Sequence, residues 1–237
     1  MSWVLNNTEQ IGQLLAAHLL IAIPAIMASF IISLPIGWVA NRFRWARRLL
    51  LPGLGLLYAV PSLPLFIVLP ALLGTGLRDP INLVVALTLY GIALMVSATA
   101  NALGSVDADI RRSATAVGFS PGQLFFRVEL PVAGPVLLAG IRIVAVSTIS
   151  LTSVGAVLGT PSLGTLFTDG FQRNIPAEIL TGILLTITIA LSIDGLLVLL
   201  GRVLMPWRAV NLVRPGTRVA PKIDSLGSRP SNRGLFG

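Results

Sequence analysis

The chain has 237 residues, of which 54% are hydrophobic and only 11% charged, with a mean hydropathy of +0.88. A soluble domain carries roughly 25% charged residues, so this composition excludes an ordinary soluble enzyme and implies lipid as the main solvent. Seventeen basic against nine acidic residues give a formal charge of +8, with Lys222 the one lysine; in so apolar a chain that excess reads as basic loops, not as nucleic-acid binding.

The first run without acidic or basic side chains, 10–41, has His18 as its one titratable group and predicts a spanning helix over about 15–40, with 1–14 as an external N-terminal segment. The run is longer than the roughly 7–15 apolar residues of a signal peptide, and no Lys or Arg precedes it. His18, near the outer end, is expected at the membrane interface. The run 49–77 predicts a second helix over about 49–73 that contains Pro52, Pro61, Pro64 and Pro70. Two readings are open for it: a kinked packing helix, or a helix broken beside a substrate path. Further apolar stretches predict a third helix over 81–103, a fourth over 135–159 with Arg142 inside it, and a fifth over 179–204 interrupted by Asp194 and Arg202. All five are apolar on every side rather than striped.

The two charges inside spans each have a structural and a functional reading. Arg142 snorkels or pairs near the cytoplasmic end, or it serves transport; Asp194 faces a polar partner between helices, or it lines the path.

The basic residues sort by side. Arg42, Arg44, Arg47 and Arg48 in the first loop, Arg111, Arg112 and Arg127 in the third, and Arg202, Arg208, Arg214, Arg218, Lys222, Arg229 and Arg233 at the C-terminal end place 14 on one side, against Arg78 and Arg173, 2 on the other. Positive charge marks the cytoplasmic side, which puts the N-terminus outside and the C-terminus inside. The tail, 208–237, is rich in Arg, Pro, Gly and Ser; it is expected to be disordered, with its charge against anionic headgroups.

The third connection, about 104–133, is long for a loop, and long loops are commonly functional. Asp107 or Ser105 caps a helix that runs to Val117 and ends at Gly118. Ser120 caps a second, with Pro121 in its first position and Leu124, Phe125 and Val128 on one side; it is expected to end at Pro131. From the residues alone this element is an interfacial hairpin on lipid or a docking element for a cytoplasmic partner.

Its residues carry a resemblance. RSATAVG from Arg112 to Gly118, then nine residues, then VELP from Val128 to Pro131, resembles the E-A-A-x-x-x-G, nine residues, I-x-L-P signature of ABC importer permeases. Ala114, Gly118, Leu130 and Pro131 match; Arg112, Ser113 and Val128 stand where the family has Glu, Ala and Ile. Over about 15–207 the chain is most similar to the glycine betaine/carnitine/choline, or osmoprotectant, branch. The run from Val128 to Arg142, VELPVAGPVLLAGIR, is close to that branch's V-E-L-P-L-A-x-P-V-I-x-A-G-I-R. The AVPSL run after Tyr58 is similar to its T-I-P-S-L, Leu89-Tyr90 to its third-span L-Y, and Leu163-Gly164 to the end of its G-G-L-G turn. Asp194 falls on its fifth-span Asp. Ser97-Ala98-Thr99 stands where that branch commonly has R-N-T, and Pro161 and Ser162 replace two glycines.

The resemblance implies an all-α integral membrane protein of five transmembrane helices, a coupling helix in the cytoplasmic loop between helices 3 and 4, and a place in a bacterial inner membrane. It implies a second permease subunit, the same chain or another, a pair of cytoplasmic ATPases and an external substrate-binding lipoprotein as partners, with lipid around them and no nucleic acid. Arg112, Ser113, Ala114, Gly118, Val128, Leu130 and Pro131 would form the ATPase-docking loop. Arg142, Asp194, Tyr90 and Ser97 would be polar groups of the path or of helix packing. Arg142 and Asp194 are the first of these to substitute.

No cofactor is expected in this chain. ATP would be held by the partner, since no G-x-x-x-x-G-K-[ST] is present. The motifs H-E-x-x-H and D-D-x-x-D are also missing, there is no Cys and His18 is the one His, which argues against an intramembrane enzyme. The cargo would be a small osmoprotectant such as glycine betaine, choline, carnitine or proline; the alternatives are a permease for another small solute such as an amino acid, and an ATP-independent channel. An aromatic cage is the usual recognition device for quaternary ammonium. With two Tyr, and with Trp3, Trp38, Trp45 and Trp207 near membrane ends, tight aromatic recognition in the pore is not expected and selectivity is assigned to the binding protein.

Overall fold

The structure, a computed structural model, describes residues 2–207, and among these every regular element is helical. In chain order they are α1 (Ser2–Asn6), α2 (Thr8–Arg42), α3 (Arg44–Ala59), α4 (Ser62–Leu73), α5 (Pro80–Gly104), α6 (Ala108–Ala116), α7 (Pro121–Leu124), α8 (Leu130–Thr152), α9 (Thr165–Gln172) and α10 (Pro176–Leu204). A π-helical turn, Phe125–Glu129, joins α7 to α8, and a 3-10 segment, Ser153–Leu158, extends α8. Met1–Met205 is one unit; Pro206 and Trp207 begin a second, and the basic tail 208–237 lies outside the described residues.

Helix α5 is the centre of the unit and packs on α2, α3, α4 and α8. Lipid offers no hydrophobic drive for helices to associate, so close backbone approach and good packing must do it. The α2 face toward α5 carries Ala25, Ser29, Ser33 and Gly37 at four-residue spacing, and all four are buried. An added Cβ at Gly37 would lie 2.5 Å from the Thr99 side chain, and one at Gly91 2.6 Å from Ser29. Two apolar clusters flank this seam: Ile26, Met95, Leu103, Leu137 and Val144 toward α8, and Ile21, Phe66, Leu87 and Tyr90 toward α4. Helix α10 sits at the edge, on α8 and α9, with Gly182 and Gly201 buried at its contacts and Leu184, Leu191 and Leu199 exposed.

Among the described residues, four helical stretches are long and apolar enough to cross a membrane: α2, α5, the run from Pro121 to Leu158, and α10. The expected second span is not one helix. It is α3 and α4, bent by 102° at their junction, so five spans are reached only if the bent pair counts as one. Pro61 and Pro64 lack the N–H groups that a straight helix would direct at the Leu57 and Val60 carbonyls. The Leu57 carbonyl instead accepts from Val60 N–H at 3.2 Å, a tightened last turn, and the Val60 carbonyl accepts from the Tyr90 hydroxyl at 2.7 Å.

Other expectations need correcting. Helix α2 begins at Thr8, not near 15, because Glu9 and Gln10 are accommodated in its first turns. Pro131 does not end a helix. It sits in the first turn of α8, and the π-helical turn before it widens the coil, closing a bond from Leu130 N–H to the Phe125 carbonyl. That wider turn relieves the clash a proline ring makes with the carbonyl four residues back. The fourth span is thus continuous from Pro121. Helix α9 was not anticipated, since its residues fell within a single apolar run and the next loop.

The small-residue seam makes a specific expectation. Gly37→Leu drives a side chain into Thr99 and should destabilise the chain by about 1–3 kcal/mol, lowering its melting temperature in detergent. Gly195→Leu, where an added Cβ meets nothing within 4 Å, should leave the melt unchanged. Equal melts for the two variants would remove the seam from the account.

Candidate functional site

The loop expected to dock a partner carries two short helices capped by their own neighbours. Asp107 caps α6, its carboxylate accepting from Asp109 N–H at 2.8 Å. The far end closes in a Schellman motif: Phe119 N–H reaches the Ala114 carbonyl at 3.2 Å and Gly118 N–H the Thr115 carbonyl at 3.0 Å. Gly118 has φ +97, a conformation that a Cβ resists. Ser120 and Gln123 then form a reciprocal capping box that starts α7. Every residue of α6 is at least partly exposed.

Within this frame Arg112 and Ser113 point outward. Arg112 pairs with Asp109 at 2.6 Å, with both side chains about three-quarters exposed. Ala114, Val128, Leu130 and Pro131 are half-buried on the inner side. The structure therefore brings the two halves of the signature together as one element with an outer face and an inner face.

Arg111 was missed by the sequence reading. Its Nε lies 2.8 Å from Glu129 Oε1, and its Nη2 donates to the Leu103 carbonyl. One side chain thus ties α6 to the end of α5 and to the π-helical turn at the base of α8. Glu129 is buried, and a buried carboxylate needs a partner. An acidic residue inside an otherwise apolar VELP run, with arginines upstream, was the available signal. Beside this tie is a cleft of about 830 Å³ lined by Trp38, Asn41, Arg42, Arg111, Phe119 and Glu129.

The two intramembrane charges are paired, which is among the readings left open for each. Arg142 on α8 and Asp194 on α10 meet in a bidentate ion pair, Nε to Oδ1 at 2.6 Å and Nη2 to Oδ2 at 2.7 Å. The sequence reading treated them separately because they stand 52 positions apart. Tyr90 is buried at the α3–α4 break, its ring edge-on to Tyr58 at 6.0 Å. Ser97 is half-buried on α5. His18, expected at the membrane interface, is enclosed by the chain: it is fully buried, and its Nδ1 accepts from Leu163 N–H at 3.4 Å. The turn after the 3-10 segment folds back over it, which the helix-end reading could not foresee.

Comparisons with known proteins agree with this architecture. Residues 33–206 match the family described as "Binding-protein-dependent transport system inner membrane component". The chain is 31% identical over 207 residues to the osmoprotectant import permease protein OsmW of Salmonella typhimurium, covering 86% of this chain and 96% of that one. It is 36% identical over 140 residues to the ergothioneine transport permease/ergothioneine binding protein EgtU of Helicobacter pylori, covering 59% of this chain but only 25% of that longer protein. It is 26% identical to the choline transport system permease protein OpuBB of Bacillus subtilis, covering 80% of this chain and 86% of that one. Among solved structures, a chain of the inward-facing MetNI methionine ABC transporter superposes with a TM-score of 0.71 at 18% identity, over 84% of this chain and 98% of that one. An amino acid ABC transporter chain gives 0.68 at 14%, over 84% and 96%. At these identities the two structures speak for the fold.

The Tyr90 contact has a direct test. Tyr90→Phe keeps the ring and removes the donor, leaving the Val60 carbonyl unpaired at a cost of about 1–3 kcal/mol. The expected result is a lower melting temperature with the helical content retained. An unchanged melt would mean that the hydroxyl does not hold the break.

Proposed function

The chain belongs to the family of binding-protein-dependent transport system inner membrane components, and on that premise we propose that it is the pore subunit of an ATP-driven importer for a small osmoprotectant such as glycine betaine, choline, carnitine or proline. The observation that carries this reading is α6: a helix with no buried residue, fixed at both ends by its own caps and tied from behind by Arg111. A lipid-lying hairpin would turn a broad apolar face outward. This helix instead shows Asp109, Arg112 and Ser113 together with Ile110 and the following Val117, a mixed surface suited to a protein groove.

In this reading a cytoplasmic ATPase pair seats on α6, and ATP is held by those partners. Arg112, Ser113 and the exposed end near Gly118 form the contact; Ala114 keeps the inner face small. Leu130 and Pro131, with Val128, anchor the return into α8. Movement of α6 reaches α8 through Arg111–Glu129 and the π-helical turn, a wide coil whose hydrogen bonds are already shifted from the α register. A second permease subunit completes the path, and an external binding protein delivers cargo. The N-terminus lies outside and the α6 loop inside, as the arginine distribution supports. The names of the relatives support the cargo class: osmoprotectant, choline, and glycine betaine/carnitine/choline transport permeases.

Gly118→Val tests the docking role. An added Cβ there meets nothing within 4 Å, so the substitution strains the positive φ without a clash. ATP-driven uptake should fall at least tenfold, while the amount of chain in the membrane stays the same and copurification of the ATPase weakens. Normal uptake by this variant would refute the docking assignment.

A further inference from the structure

Arg142 lies 12 residues into α8 and Asp194 10 residues before the end of α10, roughly 15–18 Å from the end of the bundle that carries α6, at about 1.5 Å per residue. Val144, beside Arg142, abuts Gly91 near the middle of α5. The ion pair is therefore at mid-span. Yet 40% of the Arg142 side chain and 24% of the Asp194 side chain are exposed at the surface of the chain. Charged groups at that depth face a bundle interior or water-filled space, not hydrocarbon.

The pair also has unused capacity. Arg142 spends Nε and Nη2 on Asp194, which leaves the Nη1 edge of the guanidinium outside the contact. Each Asp194 oxygen takes one of those two bonds and can accept another. A guanidinium beside a carboxylate is the electrostatic complement of a molecule that carries one carboxylate and one fixed cation.

We propose that the Arg142–Asp194 pair lines the aqueous path and forms a passing site for a zwitterionic quaternary ammonium cargo, whose carboxylate meets the free edge of Arg142 while its cation lies against Asp194. This rests on the permease reading above and names the cargo class within it. It supplies charge recognition where the chain has few aromatics. A site of this kind binds weakly, because Arg142 and Asp194 remain partly satisfied by one another, as suits cargo that must leave.

The chain contains no cysteine, so single cysteines report without background. In the assembled transporter in membranes, Val146→Cys and Ala190→Cys, each one turn from the pair, should react with a charged, membrane-impermeant thiol reagent. Separately, Arg142→Gln should reduce uptake of glycine betaine at low concentration at least tenfold while uptake of choline, which has no carboxylate, falls less than threefold; Arg142→Lys should recover part of the glycine betaine uptake. Cysteines that react only with membrane-permeant reagents would overturn the proposal, as would equal losses for both cargoes. The labelling arm keeps the wild-type pair and reads the exposure of this face even where Arg142→Gln misfolds. A wild-type complex that imports neither cargo sinks the substrate reading itself; one that imports both and fails either arm sinks this proposal alone.

Discussion

Lipid cannot hydrate a backbone carbonyl or a charge, so each polar group that leaves the regular helix must find a partner inside the protein. Much of what distinguishes this chain from a plain bundle follows from that constraint. Pro61 and Pro64 strip donors from the second span, and the Val60 carbonyl is met by Tyr90 from α5. Pro131 strips one from the base of the fourth, and a π-helical turn absorbs it. Glu129 and His18 are buried, and Arg111 and the Leu163 amide meet them. Arg142 and Asp194 meet each other. The irregular places are held by cross-helix contacts, which fixes the bend of α3 against α4 and the register of α8 against α10.

The same contacts connect the loop to the spans. Helix α6 is stabilised locally, by Asp107 at one end and Gly118 at the other, and needs little from the bundle to exist. What it takes from the bundle is position. Arg111 donates to a carbonyl at the end of α5 and is ion-paired with Glu129, so α6 cannot shift without loading the first turns of α8. Ten residues or so further along α8 is Arg142. The π-helical turn and Arg142 thus lie on one continuous helical run from Pro121 to Leu158, and Arg111 ties α6 to its base. Whatever moves α6 acts on the same rigid body that carries the charge at mid-span.

Much of the architecture was legible in the residues. Apolar runs gave the third span, free of charge, and the fifth, interrupted by Asp194 and Arg202, almost to their ends, since α5 covers Pro80–Gly104 and α10 Pro176–Leu204. Asp107, Gly118, Ser120 and Pro121 gave the caps of α6 and α7, because capping is a matter of neighbours within four residues. Where proline was the signal, the sequence left the outcome open or misled. At Pro61 both a kink and a break were compatible with the residues; at Pro131 an end was expected and a continuation found. The effect of a missing N–H depends on what else can reach the freed carbonyl, and Tyr90 is 30 residues away from Val60.

The sequence by itself determined the solvent, the helical class, the number of apolar stretches and the local frame of α6 and α7, because these depend on composition and on contacts between near neighbours. Only the tertiary structure decided that Arg142 belongs to Asp194, that Arg111 reaches Glu129, that His18 is enclosed and that the second span turns by 102°. Each of these is a pairing across helices. In these spans the small residues at four-residue spacing on α2 mark the face that meets α5, but nothing local marks which distant polar groups meet, so those partners become visible only once the helices are set side by side.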